Sequence, residues 1–250
     1  MRFSRVFLLA VIATSLLGQG ANSTQTRRVP VDQIRIGTIQ NNPPYVIENL
    51  SSGIDMDTIR AAFAVVGREV EFVHAPLTRI SSLLRSRRID GITTLVAMGN
   101  QCTLSDVFSY WHDGIVVRRD LEKNVSSVAD LAGLRVGMFP SASAVFAEKL
   151  GPHVASFASE TVINSTPPVL RLLEYGRIDA YIGDIWGLEA LAASSTDVLP
   201  FRIAITFEPT PRYVCFLDDK VKEQFNKGVA QLNTEGELEK ITARYRKQPN

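Results

Sequence analysis

The chain writes one phrase twice. Ile34-Arg-Ile-Gly-Thr38 returns as Leu134-Arg-Val-Gly-Met138, and Leu83-Leu-Arg-Ser-Arg-Arg-Ile-Asp-Gly-Ile92 returns as Leu172-Leu-Glu-Tyr-Gly-Arg-Ile-Asp-Ala-Tyr181. Each pair couples a short apolar strand with a later helix–turn–strand that ends in Arg-Ile-Asp. The offsets are 100 and 89 residues, so the duplicated object is a whole α/β lobe. Two similar lobes imply a cleft between them, and function is to be sought there.

Hydrophobic periodicity fills in the rest. Ile34 to Ile39 reads as a buried strand stopped by Asn41-Asn-Pro-Pro44. Gly53-Ile-Asp55 opens a helix with Ile59, Ala62, Phe63 and Val66 on one face, ended by Gly67. Val70 to His74 is a strand, Pro76 and Thr78 announce a helix, and Ile89 to Leu95 is a strand again. This β-α-β-α-β order predicts a mostly parallel sheet flanked by helices. Ile115-Val-Val-Arg118 reads as a first hinge strand and Tyr213-Val-Cys-Phe216 as a second. The expected organisation is therefore a discontinuous first lobe, residues 31–115 and 213–250, with a second lobe, 116–212, inserted into it. Paired hinge strands let such lobes close on a ligand as near-rigid bodies. Gly236 separates two closing helices.

Residues 1–20 read as a cleaved secretory signal: Arg2 and Arg5, an apolar run from Val6 to Leu17, then Gly18-Gln-Gly20. No Cys follows the run, so an exported soluble protein without a lipid anchor is expected. Without that segment the chain carries 25 basic and 26 acidic residues, a balance that excludes a basic nucleic-acid-binding face. Cys102 and Cys215 are the only cysteines, and in an oxidising compartment they form one bridge or stay as two buried thiols. His74, His112 and His153 are scattered, so no metal-ligand spacing exists and no cofactor is expected.

Pro43-Pro-Tyr45, Gly53-Ile-Asp-Met-Asp57, Arg87-Arg-Ile-Asp-Gly91, Phe108-Ser109, Gly176-Arg-Ile-Asp179 with Asp184, and Asn233-Thr-Glu-Gly-Glu-Leu-Glu-Lys-Ile241 occur in an order that resembles bacterial extracellular solute-binding proteins, family 3. The resemblance covers nearly all of the chain after residue 20. It implies a two-lobed type 2 periplasmic binding fold with two hinge strands. It also implies a periplasmic receptor that is monomeric and hands a small solute to an ABC importer or a membrane sensor. Tyr45 then corresponds to the aromatic that stacks over a ligand side chain. Ser141 and Ser143 lie in a small polar loop that donates to a ligand carboxylate, and Asp184 is the acid that pairs with a ligand ammonium.

One departure stands out. Members that bind α-amino acids carry Thr-x-x-Arg before the Phe-Ser, and here those two positions hold Gly99 and Cys102. A thiol does not replace a bidentate guanidinium. The resemblance thus points to a small polar, amine-bearing solute rather than to an ordinary amino acid. Arg79, in the first turn of a helix near the expected cleft, is a candidate replacement cation or else a solvated surface charge. Thr94 at a strand end and Trp111 near the hinge are candidate ligand contacts or packed side chains. Asp184 contacts ligand or caps the following helix. Two other functions fit the fold: a degenerate scaffold with a protein partner only, and a cyclohexadienyl-type dehydratase, which would need cationic groups for substrate carboxylates.

Overall fold

Arg35 and Asp90 explain why the repeated phrase exists. In a computed structural model that describes residues 33–94, 101–193 and 200–246, the Arg35 N–H donates to Asp90 Oδ2 at 2.7 Å, and the Asp90 N–H returns a bond to the Arg35 carbonyl at 2.8 Å. The second copy repeats the exchange. Arg135 N donates to Asp179 Oδ2 at 2.9 Å, and Asp179 N reaches the Arg135 carbonyl at 2.7 Å. The two halves of the phrase thus lock the entry of one strand to the end of the next helix–turn. The glycines in the phrase have a shared cause too. A Cβ on Gly137 would stand 2.8 Å from Ile163 and 2.9 Å from Ile178, and one on Gly37 would strike Ile80 and Ile89. Isoleucine side chains seat directly on both strands at that residue and leave no room for a Cβ.

The first sheet is built around β1 (Ile34–Thr38), with β2 (Val70–His74) and β3 (Gly91–Thr94) parallel on either side. Strand β11 (Thr210–Phe216) joins β3 antiparallel and carries β4 (Thr103–Leu104) and β5 (Ser109–Trp111) on its other edge. Helix α1 (Ile54–Val65) crosses α7 (Asp219–Thr234) over this sheet, and Phe63, Phe108, Phe216 and Phe225 fill the interface with Ile34, Ile36 and Ile59. Helix α2 (Leu77–Arg85) covers the other face through Ile80 and Leu84. Gly236, at φ +70°, turns the chain from α7 into α8 (Glu237–Tyr245).

The second sheet has the order β10-β6-β9-β7-β8. Its members are β6 (Asp113–Arg118), β7 (Arg135–Met138), β8 (Ser159–Val162), β9 (Ala180–Asp184) and β10 (Phe201–Thr206). β7 is parallel to β8 and β9, while the crossing strand β6 runs antiparallel to β9 and β10. Alternation in β6 sends Ile115 and Val117 to one core and Val116 to the other, so both faces are covered. The second face lies under α5 (Pro167–Glu174) and α6 (Ile185–Ala193). After Ser141 the chain forms two single turns, α3 (Ala142–Val145) and α4 (Ala147–Leu150).

The chain leaves the first sheet at His112, between β5 and β6, and returns at Phe207–Pro209, between β10 and β11. The boundaries expected at 115/116 and 212/213 therefore fall inside β6 and β11. The crossing strands pair beyond their apolar runs, through Asp113 and Thr210. Among the described residues no helix is long and apolar enough to cross a membrane. The expected signal segment, Leu95, Gly99 and Asn100 lie outside the described residues.

Candidate functional site

Strand β9 ends on Asp184, and its antiparallel register with β6 sets Asp184 directly opposite Asp113. Directly opposed residues on neighbouring strands project to the same side of a sheet. Both acids are withdrawn from water, with exposures of 8% and 2%. Asp184 Oδ1 accepts from Tyr45 Oη at 3.3 Å, while Oδ2 makes no well-formed hydrogen bond, the Gly187 N–H and the Asn42 side chain being the other donors that act on the carboxyl. Gly187, in the first turn of α6, gives that carboxylate room, since a Cβ there would stand 2.5 Å from Oδ2. Asp113 Oδ2 accepts from Thr210 Oγ1 at 2.9 Å.

Burial is the first force on these groups, and like charge the second. Desolvation, then repulsion from Asp113, holds the Asp184 carboxyl well above the usual carboxylate range, against weaker opposition from the Gly187 N–H, Tyr45 and Asn42. Burial likewise pushes Asp113 up to about 6, with the Thr210 bond and the more distant Arg212 pulling the other way. Burial and Asp184 raise the Tyr45 hydroxyl in turn.

Aromatic rings wall the acids. Tyr45 lies 5.5 Å from Trp111 and 6.2 Å from Trp186, ring centre to ring centre, and Trp186 stacks on His112 at 3.5 Å. The Tyr45 oxygen also accepts from the His112 N–H at 3.1 Å, which ties the first sheet's loop to the crossing point. On its other side Trp186 carries the Arg246 guanidinium at 4.0 Å. Below Trp111 sits a buried ion pair. Arg212 Nε and Nη2 donate to Asp55 Oδ2 at 3.2 and 3.1 Å, Ser109 donates to Asp55 Oδ1, and the guanidinium stacks 4.1 Å over Trp111.

Of the residues singled out from sequence, the structure gathers Tyr45, Trp111 and Asp184. Tyr45 is fully buried, and its hydroxyl meets Asp184 at the seam. Arg79 is exposed on the first turn of α2 and exerts no charge effect on either acid. Ser141 and Ser143 are exposed at a single helical turn, Ser143 Oγ lying 3.4 Å from the Met138 sulfur. Thr94 is buried opposite Tyr213. Cys102 and Cys215 are bridged, and Cys102 packs against the cluster of Ile80, Leu84, Ile89 and Ile92. Where the resemblance led to an arginine, the chain has a covalent strut.

Asp113, Trp186 and Arg212 were not singled out, and Asp55 appeared only within the Gly53-Ile-Asp-Met-Asp57 motif without a role at the site; the further signal for Asp55 was polarity among Ile54, Met56 and Ile59. A cavity of about 620 Å³ shares His112 and Trp186 with the seam, but it is otherwise lined from Ile54, Phe108, α7 and α8 and touches neither acid.

The titrations of Asp113 and His112 oppose each other. Asp113, raised to about 6, stabilises the fold at pH 4 and loses that contribution as pH rises to 6. His112, lowered to about 4 by burial and then by Arg246, loses stability as pH falls from 6.5 to 4. Urea denaturation of the wild type should therefore vary little between pH 4 and 6 through these two groups. Relative to the wild type, Asp113→Asn should tilt the profile toward stability that rises with pH and His112→Gln toward stability that falls with pH, Asp113 contributing about 3 kcal/mol across the window, while Asp184 adds a falling contribution of its own to all three proteins. Parallel profiles for the two variants would contradict the assignment.

Two mixed α/β sheets joined by a double crossing form the architecture of a type 2 periplasmic binding protein. The sequence profile of bacterial extracellular solute-binding proteins, family 3, matches residues 34–248, and the chain belongs to that family. Among curated relatives, the probable amino-acid-binding protein YxeM of Bacillus subtilis (strain 168) is 21% identical, covering 98% of this chain and 96% of its own. The arginine-binding extracellular protein ArtP of the same organism is 23% identical, with 96% of each chain covered. An ancestral arginine-binding protein bound to arginine superposes with a TM-score of 0.69 at 24% identity, over 86% of this chain and 98% of that one. A histidine kinase sensor domain does so with a TM-score of 0.69 at 20% identity, over 86% and 96%.

Proposed function

We propose that the protein captures a small polar, amine- or guanidine-bearing solute between its two lobes and presents it, unaltered, to an ABC importer or a membrane sensor. The observation that carries this reading is Asp184: a carboxylate at the lobe seam, buried and short of one well-formed hydrogen bond, beside a second acid. A cationic guest supplies both the missing donor and the missing charge. The amino-acid-binding and arginine-binding relatives support the amino-compound class, and the kinase sensor domain supports the sensor alternative. Export by residues 1–20 to the periplasm, and action as a monomer, complete the proposal.

A thermal-shift screen against basic amino acids, polyamines, opines and small carboxylates tests it. A ligand at 100 times its Kd should add about 2.7 kcal/mol of stability. Asp184→Asn should abolish any amine-dependent shift; an undiminished shift would reject the role given to that carboxylate. Conversion of the compound would indicate an enzyme instead. One observation favours the scaffold reading: Tyr45 Oη already bonds Asp184, so the seam is partly filled from within. No shift across the whole panel would decide for that reading.

A further inference from the structure

We propose that the seam takes an organic cation without a carboxylate, such as an amine, polyamine or guanidine, in preference to a zwitterionic amino acid, with Asp184 and Asp113 sharing its positive charge. This rests on the receptor reading above and narrows its solute.

The argument begins with the charges that line the seam. Asp184 and Asp113 stand opposite each other on neighbouring strands and face the same side of the sheet. Like charges so placed repel, and in a buried setting the repulsion is amplified. A guest that brings one diffuse or repeated positive charge relieves both acids together. A guest that also brings a carboxylate must seat it in the same enclosure, and there it needs a cation of the protein's own.

The described residues supply none. Arg212 is the single buried cation among them, and it is already committed: its Nε and Nη2 donate to Asp55 Oδ2, and its face lies on Trp111. No lysine, arginine or histidine figures among the groups that act on Asp184. Arg246 lies 4.0 Å over the Trp186 ring and 3.9 Å from Glu189, and its charge acts on His112. The internal segments 95–100 and 194–199 contain no basic residue in their sequence, and Lys247, which follows Arg246, lies outside the described residues. Ser141 and Ser143 present neutral hydroxyls at a helix of a single turn, too short to gather an appreciable dipole.

One under-bonded atom gives the arrangement direction. Asp184 Oδ2 is the lone buried carboxylate oxygen without a well-formed hydrogen bond among the described residues, whereas both oxygens of Asp55 are bonded. An ammonium has three donors and a guanidinium five, enough to serve Oδ2 and the neighbouring acid at once.

Isothermal titration of the purified protein against matched pairs that differ only in the α-carboxylate tests the inference. The pairs are arginine and agmatine, lysine and cadaverine, ornithine and putrescine. The decarboxylated member is expected to bind at least ten-fold more tightly in each pair that binds. Equal or tighter binding of the amino acid would overturn this inference while leaving the receptor reading intact. No heat from any of the six would overturn both. Asp113→Asn, checked for folding by circular dichroism, should weaken the decarboxylated ligand at least ten-fold. Unchanged affinity in that variant would remove Asp113 from the site.

Discussion

Arg212→Met should cost the protein about 3–5 kcal/mol in urea denaturation, enough to unfold a large fraction of molecules of ordinary stability at room temperature. The cause is Asp55, which would be left as an uncompensated charge with a side chain only 1% exposed. The double variant Asp55→Leu, Arg212→Met should recover most of the loss. Replacing both members of a buried pair by apolar groups is often close to neutral, whereas removing one is not. A single variant that lost less than about 1 kcal/mol would mean that water reaches Asp55. The pair also fixes Trp111 through the guanidinium stack, so the single variant should quench or shift tryptophan fluorescence, and the double variant should not restore it.

The second large effect belongs to the disulfide. Cys102 and Cys215 are separated by 113 residues, and the loop that they close contains the whole second sheet. Chain-entropy arguments put the value of closing a loop of that length at about 4–5 kcal/mol. Reduction, or Cys102→Ala with Cys215→Ala, should lower stability by several kcal/mol on that scale. The bridge lies among Ile80, Leu84, Ile89 and Ile92, away from Asp184, so ligand affinity in the folded protein should be unaffected. A stability change within about 0.5 kcal/mol would show that the unfolded chain is held together by other means.

Much of the architecture was legible because the repeated phrase has a local mechanism. Arg35 with Asp90 and Arg135 with Asp179 form the same backbone exchange, so sequence identity tracked a real contact. Strands β8 and β10 were not legible. Every residue of β8 is exposed at the sheet edge, and Ser159-Glu-Thr-Val162 lacks the apolar run that marks a buried strand. The site was legible only in part. Asp184 stood out because it follows a buried strand, but nothing in the sequence shows that the hydroxyl of a buried Tyr45 meets it. Asp55 and Arg212 are 157 positions apart, and no local pattern joins residues that meet only after both crossings are made.

The stack of Arg246 on Trp186 carries a practical consequence for anyone who handles the molecule. A fluorophore attached at Arg244, exposed near the end of α8, sits two positions from that stack, beside the junction of the two halves. A dye there would be well placed to register opening and closing, while a surface-tethered handle would brake that motion. Measurements of affinity call for an attachment elsewhere, such as the outward side of α2 at Arg85.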